Sequence, residues 1–262
     1  MNDKKMAFTL TETLIALAIV GVIAALTLPM LAGGTDKKTN AAELARAVEL
    51  TEGGILNIMS QVGHNRESAA EKLSEISVND VFGDPEAVQA EPEDPENPED
   101  PEEPEKQETY LTDGQNLYTQ MKGLMGLTEI SNTYLTKAKT YSGESISNSF
   151  SSNKTYKFNK RSSVIITEDI NDSNAQTADA DTVIARIFFD VNGEKGPNRL
   201  GKDIFQFGLT NGGHVVPAGS QAYNNNVLSE TLPLYTETCA GSVTDGRSCS
   251  ARVMSDGWAI KY

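Results

Sequence analysis

The first thirty residues constrain this chain more than any other part of it. An almost purely apolar run extends from residue 14 to residue 28, and with its flanks it reaches about the 20 residues that a helix needs to cross a bilayer. Lys4 and Lys5 precede the run, and no basic residue follows it until Lys37. The positive-inside rule therefore predicts a single-pass membrane protein with a cytoplasmic N-terminus and the rest of the chain across the membrane.

One carboxylate, Glu12, lies near the start of this apolar segment. A charged side chain costs about 2.5 to 3.5 kcal/mol at the centre of a membrane helix, and less toward the interface, so it usually has a partner. A plain anchor has no use for Glu12. A cleaved signal peptide would end in small residues at both key positions. The residues before Gly33 are Met30, Leu31 and Ala32, and the first of these is too large.

These residues resemble the N-terminus of the prepilin family, which includes type IV pilins and the pseudopilins of type II secretion. The resemblance rests on a short basic leader that ends at the small residue Ala7, on the sequence Phe-Thr-Leu-Thr-Glu that follows it, and on the long apolar helix. It implies that prepilin peptidase cleaves between Ala7 and Phe8 and that the new Phe8 amine is methylated. It further implies that Glu12 pairs with this amine of a neighbouring subunit, because a buried carboxylate is tolerable beside a cation.

Two residues depart from the commonest family pattern. Ala7 stands where Gly is usual, and Thr11 stands where an aliphatic residue is usual. Neither difference removes the physical basis of the motif, since Ala is still small and the Thr hydroxyl can hydrogen-bond to the backbone of its own helix. Pro29 lies where many pilins have a helix-bending proline, although an incidental kink in a membrane helix explains it equally well.

Beyond the glycine pair at 33–34 the chain becomes polar but keeps a helical period. Apolar residues recur three, four or seven positions apart: Ala41, Leu44, Val48, Ile55, Ile58 and Val62. The pattern predicts one helix from residue 8 to residue 61, roughly 80 Å long, whose second half packs on a head domain. The glycine pairs at 33–34 and 53–54 are expected weak points in it. A second, shorter helix is predicted over residues 65–81.

Residues 84–108 differ sharply in composition from the rest of the chain. They contain twelve Asp or Glu and one Lys, which accounts for −11 of the total formal charge of −15 and leaves only −4 elsewhere. Proline recurs at every third position from Pro92 to Pro104, a period that matches polyproline II. The pattern predicts a disordered acidic insertion that acts as a spacer, in preference to a calcium-binding or partner-binding segment. The acidic balance also argues against a nucleic-acid surface.

The chain after the insertion reads as a short helix and several short strands. The helix is predicted at residues 115–124, and the strands at 155–159, 163–167, 183–190, 204–209, 214–216 and 258–262. The predicted organisation is a leader (1–7), a transmembrane and assembly helix (8–32), an amphipathic region with the second helix (33–83), the insertion (84–108) and a head domain (109–262). This is an α+β layout, which is also the layout that the pilin resemblance implies.

The two cysteines, Cys239 and Cys249, lie close together without the paired spacing of a zinc site. In an oxidising compartment a disulfide is favoured over two free thiols, and it should stabilise the fold by about 2 to 3 kcal/mol. In the pilin family a C-terminal disulfide loop often forms part of the exposed filament surface.

The stretch from residue 190 to residue 203 is rich in oxygen ligands around three glycines and a proline. It begins like a calcium loop, but Lys195 and Gly201 occupy the positions where an EF-hand needs Gly and Glu. Some pseudopilins bind calcium in a head-domain loop, and for such a site Asp190, Asn192 and Asp203 are the candidate ligands. The favoured alternative is a hairpin whose Asn and Asp side chains hold its turns.

The sequence contains no recognisable catalytic set, so we expect no enzyme and no cofactor other than calcium. The expected function is that of a structural subunit of a type IV pilus or a type II secretion pseudopilus, present first in the inner membrane and then in a periplasmic or cell-surface filament. Its expected partners are prepilin peptidase, copies of itself, other pilins or pseudopilins, and inner-membrane assembly machinery. The alternatives are a membrane-anchored binding or adhesion module that does not polymerise, and an anchored hydrolase.

Overall fold

A computed structural model describes residues 9–65, 72–77, 110–111, 116–131, 137–146, 154–158, 164–167, 179–225, 239 and 245–262. The fold of these residues is α+β, as predicted: a long N-terminal helix precedes an antiparallel sheet with short helices around it. The leader (1–7) and the acidic insertion (84–108) lie outside the described residues.

The N-terminal helix, α1, spans Leu10–Asn65 and divides into two unlike halves. The segment Leu10–Thr27 has a mean hydropathy of 2.1, and none of it is buried by the rest of the chain. Its large apolar side chains are exposed; Leu10, for example, is 79% exposed and Leu26 is 73% exposed. This half is long and apolar enough to cross a membrane.

The second half of α1 packs against the sheet through one apolar stripe. Five of the six residues of the predicted face are buried, namely Ala41, Leu44, Val48, Ile55 and Ile58, while the side chain of Val62 lies outside the described set. The helix continues through both glycine pairs. At Gly54 a reason for glycine is visible, because an added Cβ would lie 2.8 Å from the Met125 sulfur. The glycine therefore allows the next helix to approach closely.

That next helix, α2 (Asn116–Met125), confirms the prediction at 115–124. The sheet then runs through six strands in sequence order, each antiparallel to its neighbour. They are β1 (Thr128–Ile130), β2 (Lys154–Lys157), β3 (Val164–Thr167), β4 (Val183–Asp190), β5 (Ile204–Thr210) and β6 (Val215–Pro217). Five of the six predicted strands are confirmed to within two residues, whereas β1 was not predicted.

The sheet separates two apolar clusters. The larger one lies between the sheet, α1 and α2, and it includes Phe189 of β4 and Phe207 of β5, whose rings meet edge-to-face with 5.4 Å between centroids. The smaller one lies around Phe188 and Ile204. Neighbouring residues 188 and 189 thus enter different clusters, as the twofold period of a strand requires. The described residues also form two short helices, α3 (Gln221–Asn225) and α4 (Cys249–Ser255).

The predicted helix over 65–81 is wrong where the structure describes it. Residues 72–77 form a single 3₁₀ turn, Leu73–Glu75, followed by an isolated bridge between Ser77 and Tyr110. Here the backbone amide of Leu73 donates to the main-chain oxygen of Asn211 at 2.7 Å. The Asn211 side chain also accepts a hydrogen bond from the Ser74 amide. These tertiary partners replace the bonds that a helix would make.

The predicted strand at 258–262 is also wrong. Helix α4 ends at Ser255, and the chain reverses through Gly257 and Trp258, which have positive φ values of 71° and 55°. The segment that follows lies beside α1, where Lys37 Nζ donates to the main-chain oxygen of Tyr262 at 2.6 Å. The left-handed conformation at two successive residues is incompatible with a strand.

A half-buried ion pair links α1 to the turn before β6. His214 Nδ1 lies 2.9 Å from Glu52 Oε1. The hydrogen bond to Glu52 is the main cause that raises the pKa of His214, the charges of Glu52 and Asp181 add to it, and partial burial opposes it. The folded chain therefore favours the protonated imidazole.

We expect this pair to make the docking of α1 pH-dependent. Because the folded pKa of His214 is raised, its contribution to stability is fully present below the unfolded pKa of about 6.5 and is lost as the pH rises through the folded pKa. Thermal denaturation of the full chain in detergent should show that His214→Gln lowers Tm more at about pH 5.5 than at about pH 8.5. Glu52→Gln serves as the matched variant and should flatten the same dependence. An equal Tm difference at both pH values would contradict this role.

Candidate functional site

Glu12 forms a capping box at the start of α1. The Thr9 amide and the Thr9 hydroxyl each donate to Glu12 Oε2 at 2.9 Å, and the Glu12 amide donates to Thr9 Oγ1 at 3.3 Å. In this reciprocal arrangement each side chain satisfies a backbone amide that the first turn of a helix leaves without a partner. Thr9 is the N-cap and Glu12 is the third helical residue.

The capping box is a role for Glu12 that the sequence prediction missed. The signal was present, because Thr9 and Glu12 are three residues apart immediately before an apolar run. The box means that Glu12 has a local use even in a lone helix. A partner on another subunit is therefore not the sole physical explanation for this residue.

For the other predicted N-terminal positions, the structure does not test the predicted roles. Ala7 and Phe8, the predicted processing site, lie outside the described residues, so cleavage between them stays a prediction. Pro29 lies within α1, whose backbone is helical on both sides of it. The predicted bend at Pro29 also stays a prediction.

The loop between β4 and β5 brings together the three candidate calcium ligands. Asp203 is fully buried, and its carboxylate accepts hydrogen bonds from the amides of Asn198 (2.8 Å) and Arg199 (2.7 Å) and from the side chain of Asn192 (3.3 Å). Asp190 Oδ1 accepts hydrogen bonds from the amides of Asn192 and Gly193. The carboxylates thus hold the backbone of their own loop, which is the hairpin alternative favoured from the sequence.

Burial is the largest influence on Asp203 and raises the pKa of its carboxyl, while the hydrogen bonds from Arg199, Asn198 and Asn192 lower it. Calcium needs six to eight oxygen ligands. In the part of the chain that the structure describes, no group of three or more His, Cys, Asp or Glu side chains is placed to hold a metal ion. Asn192 donates its amide nitrogen to Asp203, while its own Oδ1 is buried without a hydrogen-bond partner among the described residues. The calcium site stays a prediction.

The disulfide between Cys239 and Cys249 is present, with the two Cα atoms 4.6 Å apart, and it confirms the predicted pairing. Cys249 begins α4 and packs against the same β4–β5 loop. At Gly201, where φ is +77°, a Cβ would lie 2.5 Å from the Cys249 sulfur. The glycine gives the loop both its left-handed turn and the space for the disulfide. Two of the predicted sites are therefore neighbours, whereas Glu12 lies in the exposed half of α1.

We expect the Asp203 carboxylate to stabilise the head domain. Asp203→Ala removes the acceptor of three N–H groups, two of them on the backbone, and should lower the free energy of unfolding by about 2 to 4 kcal/mol. Glu194→Ala, in the exposed part of the same loop, is the matched control and should change it by less than about 0.5 kcal/mol. Denaturant titration of the full chain in detergent measures both.

Calcium can be added in the same titrations. A rise in stability with calcium that Asp203→Ala abolishes would support the calcium hypothesis. Equal effects of the two alanine variants would refute the structural role assigned to Asp203.

No protein-family model, curated protein or solved structure matches this chain.

Proposed function

We propose that this chain is a structural subunit of a type IV pilus or a type II secretion pseudopilus, processed by prepilin peptidase and assembled through α1. The observation that favours this function most is a single carboxylate, Glu12, in the exposed apolar half of a long helix whose other half packs on a folded head. A soluble protein would bury such a surface, so this half requires lipid or other apolar helices around it.

The capping box alone leaves the charge of Glu12 uncompensated. Its donors are the neutral amide and hydroxyl of Thr9. A carboxylate deep in hydrocarbon is tolerated when it meets a cation in the same dry layer. Cleavage after Ala7 would create such a cation four residues before Glu12, at the Phe8 amine. The proposed subunit contact joins the Phe8 amine of one copy to Glu12 of the next.

The proposed life cycle follows from these elements. The precursor resides in the inner membrane as a single-pass protein with its N-terminus in the cytoplasm, and it meets prepilin peptidase there. Inner-membrane assembly machinery then joins it to copies of itself or to other pilins or pseudopilins in a periplasmic or cell-surface filament. The buried stripe of α1 attaches the head to the helix in both states.

A second candidate is a membrane-anchored extracytoplasmic binding or adhesion module that does not polymerise. The capping box favours it, because Thr9 and Glu12 would then serve only to start the helix. The two candidates differ in whether the negative charge of Glu12 is needed.

Glutamine at position 12 separates the two roles of this residue. Glu12→Gln keeps a side chain that suits a capping box and removes the charge, whereas Glu12→Ala removes both. We expect wild-type chains to form filaments that can be sheared from cells expressing the cognate peptidase, and we expect both variants to insert in the membrane without forming them. The control is Thr13→Val, which changes the residue next to Glu12 in α1 without changing any charge. This variant should still assemble into filaments. Wild-type filament yield from Glu12→Gln would refute the charge pairing.

Mass spectrometry of the protein from the native membrane tests the processing step. We expect a mature chain that begins at Phe8 with a methylated amine, and we expect Ala7→Leu to accumulate as the precursor because a large residue blocks cleavage. A wild-type chain that begins at Met1 would favour the plain anchor. A chain that begins at Gly33 would show a cleaved signal peptide and would refute the proposed function.

A further inference from the structure

A groove of about 660 Å³ lies between α1 and the C-terminal segment. Lys37 and Lys38 of α1 line one side of it, and Trp258, Ile260 and Lys261 line the other. Alanines 41, 42 and 259 complete its wall. The groove therefore combines an apolar wall with basic side chains.

The C-terminal segment is held firmly in place beside α1. The main-chain oxygen of Tyr262 accepts a hydrogen bond from Lys37 at 2.6 Å, and the Tyr262 hydroxyl donates to the main-chain oxygen of Gly201 at 2.8 Å. The guanidinium of Arg252 stacks on the Tyr262 ring at 5.1 Å. Trp258 adopts a φ of +55°, an unfavourable value for a bulky residue. The groove is thus preformed, and backbone strain at Trp258 accompanies it.

The charge of the groove is opposite to that of the chain. The described residues of its lining include three exposed lysines and no Asp or Glu, although the chain has a formal net charge of −15. Two of these lysines have partners outside the lining: Lys37 Nζ donates to the main-chain oxygen of Tyr262, and Asp256 lies 3.5 Å from Lys261 Nζ. The groove therefore suits an anionic ligand with an apolar part.

The groove also lies at a defined level on α1. Lys37 is ten residues beyond Thr27, the last residue of the exposed apolar window, which is about 15 Å along the helix. A hydrocarbon core of about 30 Å accommodates about 20 helical residues, and the headgroup layer adds about 5 to 7 Å on each side. With Leu10 at one edge of the core, Lys37 and Lys38 lie just above the headgroups at the other edge. Lysine side chains are long enough to reach down to them.

We propose that this groove docks the head domain onto anionic phospholipid headgroups of the bilayer from which α1 emerges. Tryptophan and lysine are the residues that anchor proteins at a membrane interface, the first through its amphipathic ring and the second through attraction to phosphate. The proposal rests on the membrane-anchored state in the proposed function. It gives the head a fixed position on the membrane before assembly.

A second copy of the chain is the competing occupant. The exposed half of α1 is apolar and has a single carboxylate, Glu12, so it would match the wall of the groove but not its three lysines. Charge complementarity therefore favours the lipid surface over the apolar half of α1 from a second copy.

Trp258 is the one tryptophan in the sequence, so intrinsic fluorescence reports on the groove directly. The full chain is reconstituted in vesicles of phosphatidylcholine alone or of phosphatidylcholine mixed with phosphatidylglycerol. Acrylamide, a neutral aqueous quencher, then measures how accessible Trp258 is. Trp258 is half-buried against the larger apolar cluster, so we expect it to be partly protected in both mixtures and more protected, with further blue-shifted emission, in the vesicles that contain phosphatidylglycerol. High salt should reverse the protection because it screens the lysines.

The double variant Lys38→Gln, Lys261→Gln should lose this protection, and it leaves intact the Lys37 hydrogen bond that holds Tyr262 in place. Since a basic residue near an anionic surface strengthens the contact by about fivefold, we expect the ratio of protected to accessible Trp258 to fall by at least about fivefold. The control is Lys154→Gln, Lys157→Gln, which removes two exposed lysines from outside the groove and should retain the protection.

Flotation of the same vesicles distinguishes failure of this inference from failure of the proposed function. If the chains float with the vesicles but acrylamide quenches Trp258 equally in both lipid mixtures, the docking is overturned and the membrane anchor stands. Protection that depends on protein concentration and not on phosphatidylglycerol would overturn it in favour of a second copy. Chains that do not float with the vesicles would overturn the anchor and the docking together.

Discussion

The whole structure depends on one helix that has to satisfy two environments. Beyond the polar residues of its first turn, α1 is apolar on all sides from residue 14 to residue 26, and such a surface needs apolar surroundings in every direction. Between residues 41 and 59 its buried apolar residues form one stripe, which a single sheet can cover, while Leu50 and Leu56 lie outside the stripe and are exposed. The head can therefore fold around the second half alone. The first half is left for a membrane or for other helices, and every functional hypothesis for this chain follows from that division.

Helical periodicity predicted the stripe of α1, where residues such as Ile55 face the core and their neighbours face solvent. Apolar composition predicted the long strands β4 and β5, which are buried on almost every residue and contribute to both apolar clusters. The sequence prediction failed where the backbone found tertiary partners. Asn211 binds the amides near Leu73 in place of a helix, and Gly257 turns the chain away from a final strand. Such tertiary contacts leave no periodic pattern in the sequence.

The candidate functional positions could be predicted from the sequence to different degrees. The cysteine pair needed only proximity in sequence, and the oxygen-rich loop needed only composition. Neither sequence feature indicated that the disulfide and the β4–β5 loop are in contact, with Cys249 packed against Gly201. Nor did the sequence suggest the groove, because Lys37 and Trp258 are more than two hundred residues apart. Its formation depends on Tyr262, which joins α1, α4 and the β4–β5 loop through one side chain and one main-chain oxygen.

The free energies of capping and of burying a charge decide how the two roles of Glu12 relate to each other. A capping box stabilises a helix by about 1 kcal/mol, whereas a carboxylate at the centre of a membrane helix costs about 2.5 to 3.5 kcal/mol. The capping box can offset the cost of the carboxylate only close to the membrane interface, where that cost is small. Glu12 is the third residue of α1, so in the membrane-anchored state that we propose for a lone chain it would lie near that interface, and the box would suffice. Moving the same residue into the dry interior of a helical bundle removes that balance, and a cation then becomes necessary. The box and the proposed pairing with the Phe8 amine are therefore successive states of one carboxylate, separated by its depth.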